Sequence, residues 1–564
     1  MSSEKGTGLI DSKYMNVLAV ALILVAIVFV FILVLSPGSI GIHPAEQNTD
    51  YEEMMFDRNA ITTIEIEMGE RDWDYLLSNP KSEAYLPCNV TINGQKFSGV
   101  GIRTKGQSSL VSVAASNSDR YSFKFKADAY IPGQSFFGLK EFVVNNNYRD
   151  PTYMKEYMAY DMMDYAGVPV PLFAYADIDI NGKDWGLYLA VESTEDDFAN
   201  RVFGSDHGKL YKPELINESK IPKLNGVYPP LETDVNQGAA LIYTTDSIWD
   251  YYQVFGNAVF KNTTQSDCRR VLAAIEHINK GEDLDDYVFA NETLSYIAVN
   301  GIVVSMDSYA GPSLQNYYIY EKDGKIMLFP WDLNFAFDGY KDNSTPSVVD
   351  YPIDTPVYSN VSMFHRPVIN KLLENETYKE QYYEIIQNIL DGYFKSGRYE
   401  ETINRMDSLI GESVRDDPTA FVSYEQYAAG VEAMRVFGEY RAHSLEGQLN
   451  GTIPKNHFDQ RVDQTNLSKD APVDAIFMER TFKYVIKPEN PRYNSLLHSQ
   501  NQPAESLPDN LNEPAPEVDS ETNLEADPAA NLEANSEADL EVDSELQERR
   551  EKTTNQKNAA ETAV

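Results

Sequence analysis

Residues 306–337 read MDSYAGPSLQNYYIYEKDGKIMLFPWDLNFAF, and this stretch contains the clearest indication of the fold of the chain. Two runs of β-branched and aromatic residues, 316–320 and 325–329, flank a short turn that contains Gly324. Apolar runs of this length around a glycine-containing turn are typical of a β-hairpin. The sequence therefore predicts two paired antiparallel strands here.

Three polar residues would lie at one end of this hairpin. Asp307 precedes the first strand, Asn316 begins it, and Asp332 follows the second. Phosphoryl transfer needs a carboxylate that accepts the proton of the attacking hydroxyl, together with hard oxygen ligands that hold Mg²⁺ against the phosphates. Asp307 fits the first role, and Asn316 and Asp332 fit the second. Asp and Asn are also common turn and cap residues, which is the alternative reading.

With Pro330-Trp331 before Asp332, these residues resemble the signature of the spore-coat CotH kinase family. The resemblance implies an α+β chain with an atypical protein-kinase-like, two-lobed fold, strand-rich in its N-terminal part and helical in its C-terminal part. It also implies ATP and Mg²⁺ (or Mn²⁺) as cofactors, a catalytic Asp307, and Asn316 and Asp332 as metal ligands. Further segments that match the family in order are 103–109, 121–125, 147–150 and 181–192.

The spacing of these residues departs from that of ordinary kinases. Eight residues separate Asp307 from Asn316, whereas four lie between the corresponding residues of the usual catalytic loop. Gln315 precedes Asn316, and Leu333-Asn334 follows Asp332, where a second aspartate is common in the family.

A lysine and a glutamate are expected to complete the nucleotide site. Lys124 alternates with two phenylalanines on a predicted strand, so it could project toward a phosphate as the β3 lysine of kinases does. A helix predicted over 151–166, with Asp150 as its cap, would supply Glu156 as the partner of Lys124. The other candidates for phosphate contacts are Arg103, Ser108, Ser109 and, as the rival of Lys124, Lys212.

The N-terminal region predicts a membrane anchor. Residues 17–35 are all apolar, which is long enough to cross a bilayer as a helix. Lys5 and Lys13 precede this run and no Lys or Arg follows before Arg58, so the positive-inside rule places the C-terminal domain outside the cell. A cleaved signal peptide is the alternative, although residues 36–39 offer no clear cleavage site.

The chain then divides into segments of different composition. The predicted domains are a cytoplasmic N-terminus (1–16), a transmembrane signal anchor (17–36), a juxtamembrane stalk (37–59), a kinase-like domain (60–455), a C-terminal extension (456–494) and a disordered acidic tail (495–564). Helical spacing of apolar residues predicts helices over 367–374, 378–394, 399–413 and 424–449.

Charge and cysteine content limit the possible partners. The formal net charge of −40 argues against nucleic acid as a partner, because its phosphates would repel the chain. Cys88 and Cys268 are too few for a disulfide framework, and they either form one bridge or are buried. Sequons consistent with an exported glycoprotein occur at Asn89, Asn217, Asn262, Asn291, Asn343, Asn360, Asn375, Asn450 and Asn466.

Together these features predict a membrane-anchored kinase that transfers the γ-phosphoryl group of ATP to Ser or Thr hydroxyls of a surface or envelope protein. Two alternatives stay open at this point. One is a non-catalytic surface scaffold or adhesin that keeps a kinase-like fold, since fold alone does not fix function. The other is a kinase of a surface glycan, which would need the same metal ligands and base with a different acceptor groove.

Overall fold

The computed structural model of the protein describes residues 50–116, 118–214, 238–339, 342 and 345–477. The predicted membrane anchor and the predicted acidic tail lie outside these residues. No helix in the described part of the chain combines the length and apolarity needed to cross a bilayer.

Seven strands of the N-terminal part close into a barrel. Along its wall the order is β1-β2-β3-β4-β5-β7-β6, and all neighbours are antiparallel except β1 and β6, which pair in parallel and close it. The strands are β1 Thr62–Glu67, β2 Leu86–Ile92, β3 Gln95–Lys105, β4 Ser122–Lys126, β5 Glu141–Asn145, β6 Phe173–Ile180 and β7 Lys183–Glu192.

Alternation of side chains along the strands builds the core of this barrel. In β1 the side chains of Thr62, Ile64 and Ile66 are buried, while the residues between them are exposed. Ile64 and Ile66 point inward, and Phe125 of β4 stacks on Phe142 of β5 with ring centroids 4.8 Å apart. Successive side chains of a strand point to opposite faces, so this pattern fixes which residues line the interior.

The remainder of the described chain is mainly helical. A second sheet has the order β10-β9-β8, with β8 Lys209–Tyr211, β9 Tyr317–Lys322 and β10 Lys325–Pro330. The α-helices in the described residues are α1 Asp50–Met55, α2 Glu70–Ser78, α3 Ser108–Ala115, α4 Lys155–Tyr165, α5 Asp196–Phe203, α6 Tyr252–Phe255, α7 Gln265–Lys280, α8 Leu284–Tyr287, α9 Ala290–Ile302, α10 Pro367–Glu374, α11 Glu376–Ile389, α12 Arg398–Asp416, α13 Tyr424–Asn450 and α14 His457–Val462.

The prediction of an α+β chain with a strand-rich first part is confirmed, although a closed seven-stranded barrel is not by itself specific to kinases. The predicted hairpin is present as β9 and β10. Helix α4 begins later than predicted, because the carboxylate of Asp150 accepts hydrogen bonds from the backbone N–H groups of Thr152 (2.9 Å) and Lys155 (2.8 Å). These bonds form a turn over residues 151–154 before the helix starts.

Packing extends beyond both ends of the segment predicted to be the folded domain. Tyr51 and Met55 of α1 are buried against the barrel although the sequence placed them in a stalk. At the other end, Gln460 of α14 and Ile476 are fully buried. Both cysteines are buried and unpaired, as one of the two sequence alternatives expected.

A buried ion pair joins the barrel to the helical part. The Nη1 of Arg120, just before β4, lies 2.8 Å from both carboxylate oxygens of Asp417, which follows α12. Both side chains are 0% exposed. Gly186 of β7 has a φ of 95°, and a Cβ at this position would collide with the carboxylate of Asp417. The two parts can therefore approach this closely only because residue 186 is glycine.

Candidate active site

The three polar residues predicted at the hairpin end come together in the structure. The Nδ2 of Asn316 donates to Oδ2 of Asp307 over 3.0 Å. The backbone N–H of Trp331 donates to the carbonyl of Asn316 over 3.1 Å, so the two ends of the hairpin are tied together next to Asp332. Residues 307–332 thus deliver two carboxylates and one amide to the same place.

The carboxyl of Asp307 lies in an environment suited to accepting a proton. Burial raises its pKa above the usual value, and the nearby charge of Asp332 raises it further. The nearby Ser313 hydroxyl and the hydrogen bond from Asn316 act in the opposite direction without cancelling the shift. A carboxylate whose pKa is raised in this way is a better general base than an exposed one.

Two of these residues adopt left-handed backbone conformations. Asn316 has a φ of 57° and Asp332 a φ of 54°. Asn and Asp tolerate this region better than other side chains, and such conformations are concentrated at functional sites. The left-handed backbone at these two positions is therefore compatible with Asn and Asp, the residue types expected there as metal ligands.

The donor set fits a divalent cation bound partly by substrate phosphates. The Nδ2 of Asn316 is used by Asp307, which leaves the amide oxygen as the atom of Asn316 suited to a metal. Mg²⁺ is commonly held by one or two carboxylates together with phosphate oxygens. Within the described ranges, no three His, Cys, Asp or Glu side chains converge as a metal cluster made of protein alone.

The lysine that reaches Asp332 is Lys105, the last residue of β3. Its Nζ lies 2.7 Å from Oδ1 of Asn145 and 3.7 Å from Oδ1 of Asp332. It also lies 5.6 Å from the ring centroid of Trp331. The Nζ of Lys212 lies 5.9 Å from the same indole and 2.9 Å from Glu214. Two ammonium groups therefore lie near the indole of Trp331, the residue that precedes Asp332.

Helix α4 contributes a glutamate and a tyrosine to this corner. The Nδ2 of Asn145 donates to both carboxylate oxygens of Glu156, over 3.1 and 2.9 Å, so Asn145 connects Glu156 to Lys105. Glu156 is only 4% exposed. Burial and the charge of Asp332 raise its pKa to about 8, against the opposing effect of Lys105. One turn later, the hydroxyl of Tyr160 accepts from the backbone N–H of Asp332 over 3.1 Å.

The predicted pairing of Lys124 with Glu156 is wrong. The Nζ of Lys124 lies 2.6 Å from Oε2 of Glu141 and 3.4 Å from Oε1 of Glu195. The register of β3 and β4 explains the difference, because Lys105 lies opposite Ser122 whereas Lys124 lies two residues further along β4. The lysine connected to Glu156, through Asn145, is Lys105.

The remaining predicted phosphate contacts are distributed along β3 and α3. Arg103 lies over the ring of Tyr85, 5.5 Å from its centroid, and donates to the carbonyl of Thr104 over 3.2 Å. Ser108 and Ser109 begin α3, and Gln107, the N-cap of this helix, separates them from Lys105 and Gly106. Gly106 has a φ of 113°, and a Cβ there would lie 2.7 Å from Oγ of Ser109. This turn is therefore built around a residue that has no side chain.

A buried carboxylate, an amide and carboxylate pair, and a lysine connected to a helix glutamate come together here, and metal-dependent phosphotransferases use residues of these types. The model of the CotH kinase protein family matches residues 102–445 of the chain. The protein belongs to this family, which confirms the resemblance seen in the sequence.

Curated relatives agree with the family assignment. The chain is 21% identical over 344 residues to inner spore coat protein H of Bacillus subtilis (strain 168), and this match covers 60% of the chain and 87% of the relative. It is 33% identical over 60 residues to the inner spore coat protein H-like protein of the same organism, which covers 11% of the chain and 20% of that protein.

Proposed function

We propose that this protein transfers the γ-phosphoryl group of ATP to Ser or Thr hydroxyls of a surface or exported protein, with Mg²⁺ or Mn²⁺ as the metal. The single observation that carries the proposal is the Asp307–Asn316 hydrogen bond beside Asp332. This contact brings a carboxylate and an amide together at one end of a hairpin, which supports their assignment as base and metal ligand in a chain that belongs to the CotH kinase family.

The proposed reaction uses each group in a defined way. The acceptor hydroxyl oxygen forms a bond to the γ-phosphorus, and the bond from that phosphorus to the β–γ bridging oxygen breaks, so that ADP leaves. The proton of the hydroxyl passes to the carboxylate of Asp307. Asn316 and Asp332 would hold the metal, which supplies charge neutralisation on the phosphates when bound.

Lys105 is the residue that we propose for contact with the phosphates in place of Lys124. Its distance of 3.7 Å from Asp332 brings an ammonium group next to a proposed metal ligand. Asn145 and Glu156 fix the position of this ammonium group from the side of helix α4. In protein kinases a lysine and a helix glutamate have the same relation to the nucleotide.

The location of the enzyme is also part of the proposal. The apolar run at residues 17–35 would anchor the chain in the cell membrane with the catalytic domain outside. A membrane-facing or exported protein would then be the acceptor, reached on the same side of the membrane.

The proposal is tested by label transfer with the full-length protein. Wild type, Asp307→Asn and Asp332→Asn are incubated with γ-labelled ATP, Mg²⁺ or Mn²⁺, envelope proteins and, separately, envelope glycans. Asp323→Asn is the matched control, because Asp323 is an exposed residue of the hairpin turn with a similar φ of 54°.

Label on protein with wild type and Asp323→Asn, but not with the other two variants, is the expected result. Label on glycans alone would replace the protein acceptor with a carbohydrate one. A folded wild type that neither transfers label nor binds ATP with metal would contradict the proposal and favour the scaffold alternative.

A further inference from the structure

The loop between Asp307 and Asn316 is folded into a tight turn. The carbonyl of Ser308 accepts a hydrogen bond from the N–H of Gly311 over 3.1 Å. The hydroxyl of Ser308 donates to the carbonyl of Ser305 over 2.6 Å. The additional residues that distinguish this loop from an ordinary catalytic loop therefore have a defined structure.

A single arginine binds the backbone of this turn. The Nε of Arg366 donates to the carbonyl of Tyr309 over 2.6 Å, and its Nη2 donates to the carbonyl of Gly311. Its Nη1 donates to the carbonyl of His365 over 2.7 Å. Because the guanidinium is planar and its donors are fixed relative to one another, it sets the spacing of the carbonyls that it binds.

This arginine is buried, and the three backbone carbonyls to which it donates are neutral. Arg366 is 4% exposed, and none of the ion pairs found within 4 Å in the described ranges involves it. Burial lowers the pKa of the guanidinium, and the nearby Tyr309 and Tyr317 oppose that shift. A buried charge without a carboxylate is costly, so its carbonyl hydrogen bonds are needed to offset the loss of water.

The turn bound by Arg366 is packed directly against the backbone that precedes Asp307. A Cβ on Gly311 would collide with the carbonyl oxygen of Met306, the residue directly before Asp307. Arg366 thus binds the carbonyl of Gly311, and Gly311 packs against the backbone of Met306, the residue before the proposed base. A change at Arg366 should be transmitted to Asp307 through this contact.

We propose that Arg366 is a positioning residue of the site: it fixes the turn at residues 308–311 and, through it, the orientation of Asp307 relative to Asn316. The role in catalysis rests on the proposed function. The dependence of the turn on Arg366 is independent of that function and can be measured without it.

The test compares Arg366→Lys with a matched control, Arg441→Lys, in the full-length protein. Arg441 is also fully buried and bound to carbonyls, and none of them lies in the turn. Its partners are Gly301, Ile302, Val349 and Tyr351. Both variants lose a fork-shaped donor and keep a positive charge, so any general cost in stability is shared.

The first measurement is amide hydrogen exchange in peptides that cover residues 306–316. Arg366→Lys should raise exchange there by roughly tenfold, which corresponds to about 1.4 kcal/mol, because the carbonyls of the turn lose hydrogen bonds from a charged donor. Arg441→Lys should leave exchange in these peptides unchanged. The second measurement is label transfer, in which Arg366→Lys should lower kcat by roughly tenfold with little change in the KM for ATP.

Each outcome has a distinct meaning. Unchanged exchange in Arg366→Lys overturns the proposal, and so does raised exchange with an unchanged kcat in an active enzyme. If Arg366→Lys and a second variant, Arg366→Gln, both fail to fold while Arg441→Lys folds, Arg366 is a general structural residue and the proposal is wrong. A wild type that transfers no label contradicts the proposed function, and hydrogen exchange then decides the role of Arg366 in the turn.

Discussion

Two parts of the molecule contribute residues to the candidate site, and they differ in how far apart these residues lie along the chain. The helical part supplies Asp307, Asn316 and Asp332 from one hairpin and its flanks. The barrel part supplies Lys105, Asn145 and Glu156 from two strands and a helix. Geometry set within a short stretch of chain can therefore be predicted from sequence, whereas the position of a group that depends on strand register and barrel closure cannot.

The largest expected effect tests the hairpin half. Asp307→Asn removes the proposed base while keeping the size of the side chain, and should lower kcat by about 10²–10⁴-fold, the usual contribution of general base catalysis. The melting temperature should not fall, because the variant removes a buried carboxylate whose pKa burial already raises. Label transfer and thermal unfolding of the same preparation check both statements. A drop of less than threefold in kcat would show that Asp307 is not the general base.

The next largest effect concerns the contact between the two parts. Arg120→Met leaves Asp417 buried without its partner and should lower the free energy of unfolding by about 3–5 kcal/mol. Denaturant unfolding measures the change. The double variant Arg120→Met with Asp417→Leu should recover part of the loss, because no charge then stays buried alone. Equal stability of the single and double variants would contradict this explanation.

A smaller effect decides between the two lysines. Lys105→Met should lower kcat/KM for ATP by roughly 10- to 100-fold, since it removes a charged hydrogen-bond donor from the site. Lys124→Met removes an ion pair with Glu141 on β5 and should leave kcat/KM unchanged within about twofold. Steady-state kinetics with varied ATP separates the two. The reverse order of effects would restore the prediction made from sequence.

A further expected effect is a pH dependence of stability that originates at Glu156. Its pKa is raised from 4.5 in the unfolded chain to about 8 in the folded protein. Between these values the folded protein retains a proton on Glu156 that the unfolded chain releases. The stabilisation of the folded state by this proton is therefore full below the unfolded pKa and is lost as the pH rises toward 8.

The variant Glu156→Gln cannot release that proton. Its free energy of unfolding relative to wild type should therefore increase steadily from about pH 5 to pH 8, by an amount measured in denaturant unfolding at each pH. Glu65→Gln, on an exposed position of β1, is the control and should show no such trend. A constant difference between Glu156→Gln and wild type would show that the carboxyl titrates as an exposed one does.

The parts of the fold that sequence predicted share a local origin. Apolar spacing predicted α10 with its observed bounds, and the glycine-containing turn predicted the pairing of β9 with β10. The barrel was not predicted as a closed sheet, because its closure depends on the parallel pairing of β1 with β6, which are separated by more than a hundred residues. Local patterns carry no information on such a pairing.

The same distinction explains the error over the lysine. Alternation with phenylalanines identified Lys124 as a residue on the outer face of a strand, and this reading is correct as far as it goes. Lys105 lies at the end of the neighbouring strand, beside Gly106, and nothing in the sequence says which strand end faces α4. The register of β3 against β4 decides this, and it becomes known only with the structure.

The ion pair between Arg120 and Asp417 also has a consequence for the order in which the chain folds during synthesis. All seven strands of the barrel have been made once residue 192 has emerged from the ribosome, yet the carboxylate that neutralises Arg120 comes 297 residues after it in the chain. Until then Arg120 has carbonyl partners in the barrel part, at Asn146, Trp185 and Leu187, but no carboxylate to neutralise it, which makes its burial costly. We therefore expect the barrel part to gain the stabilisation from the ion pair with Asp417 only late in synthesis, when the last long helices are being made.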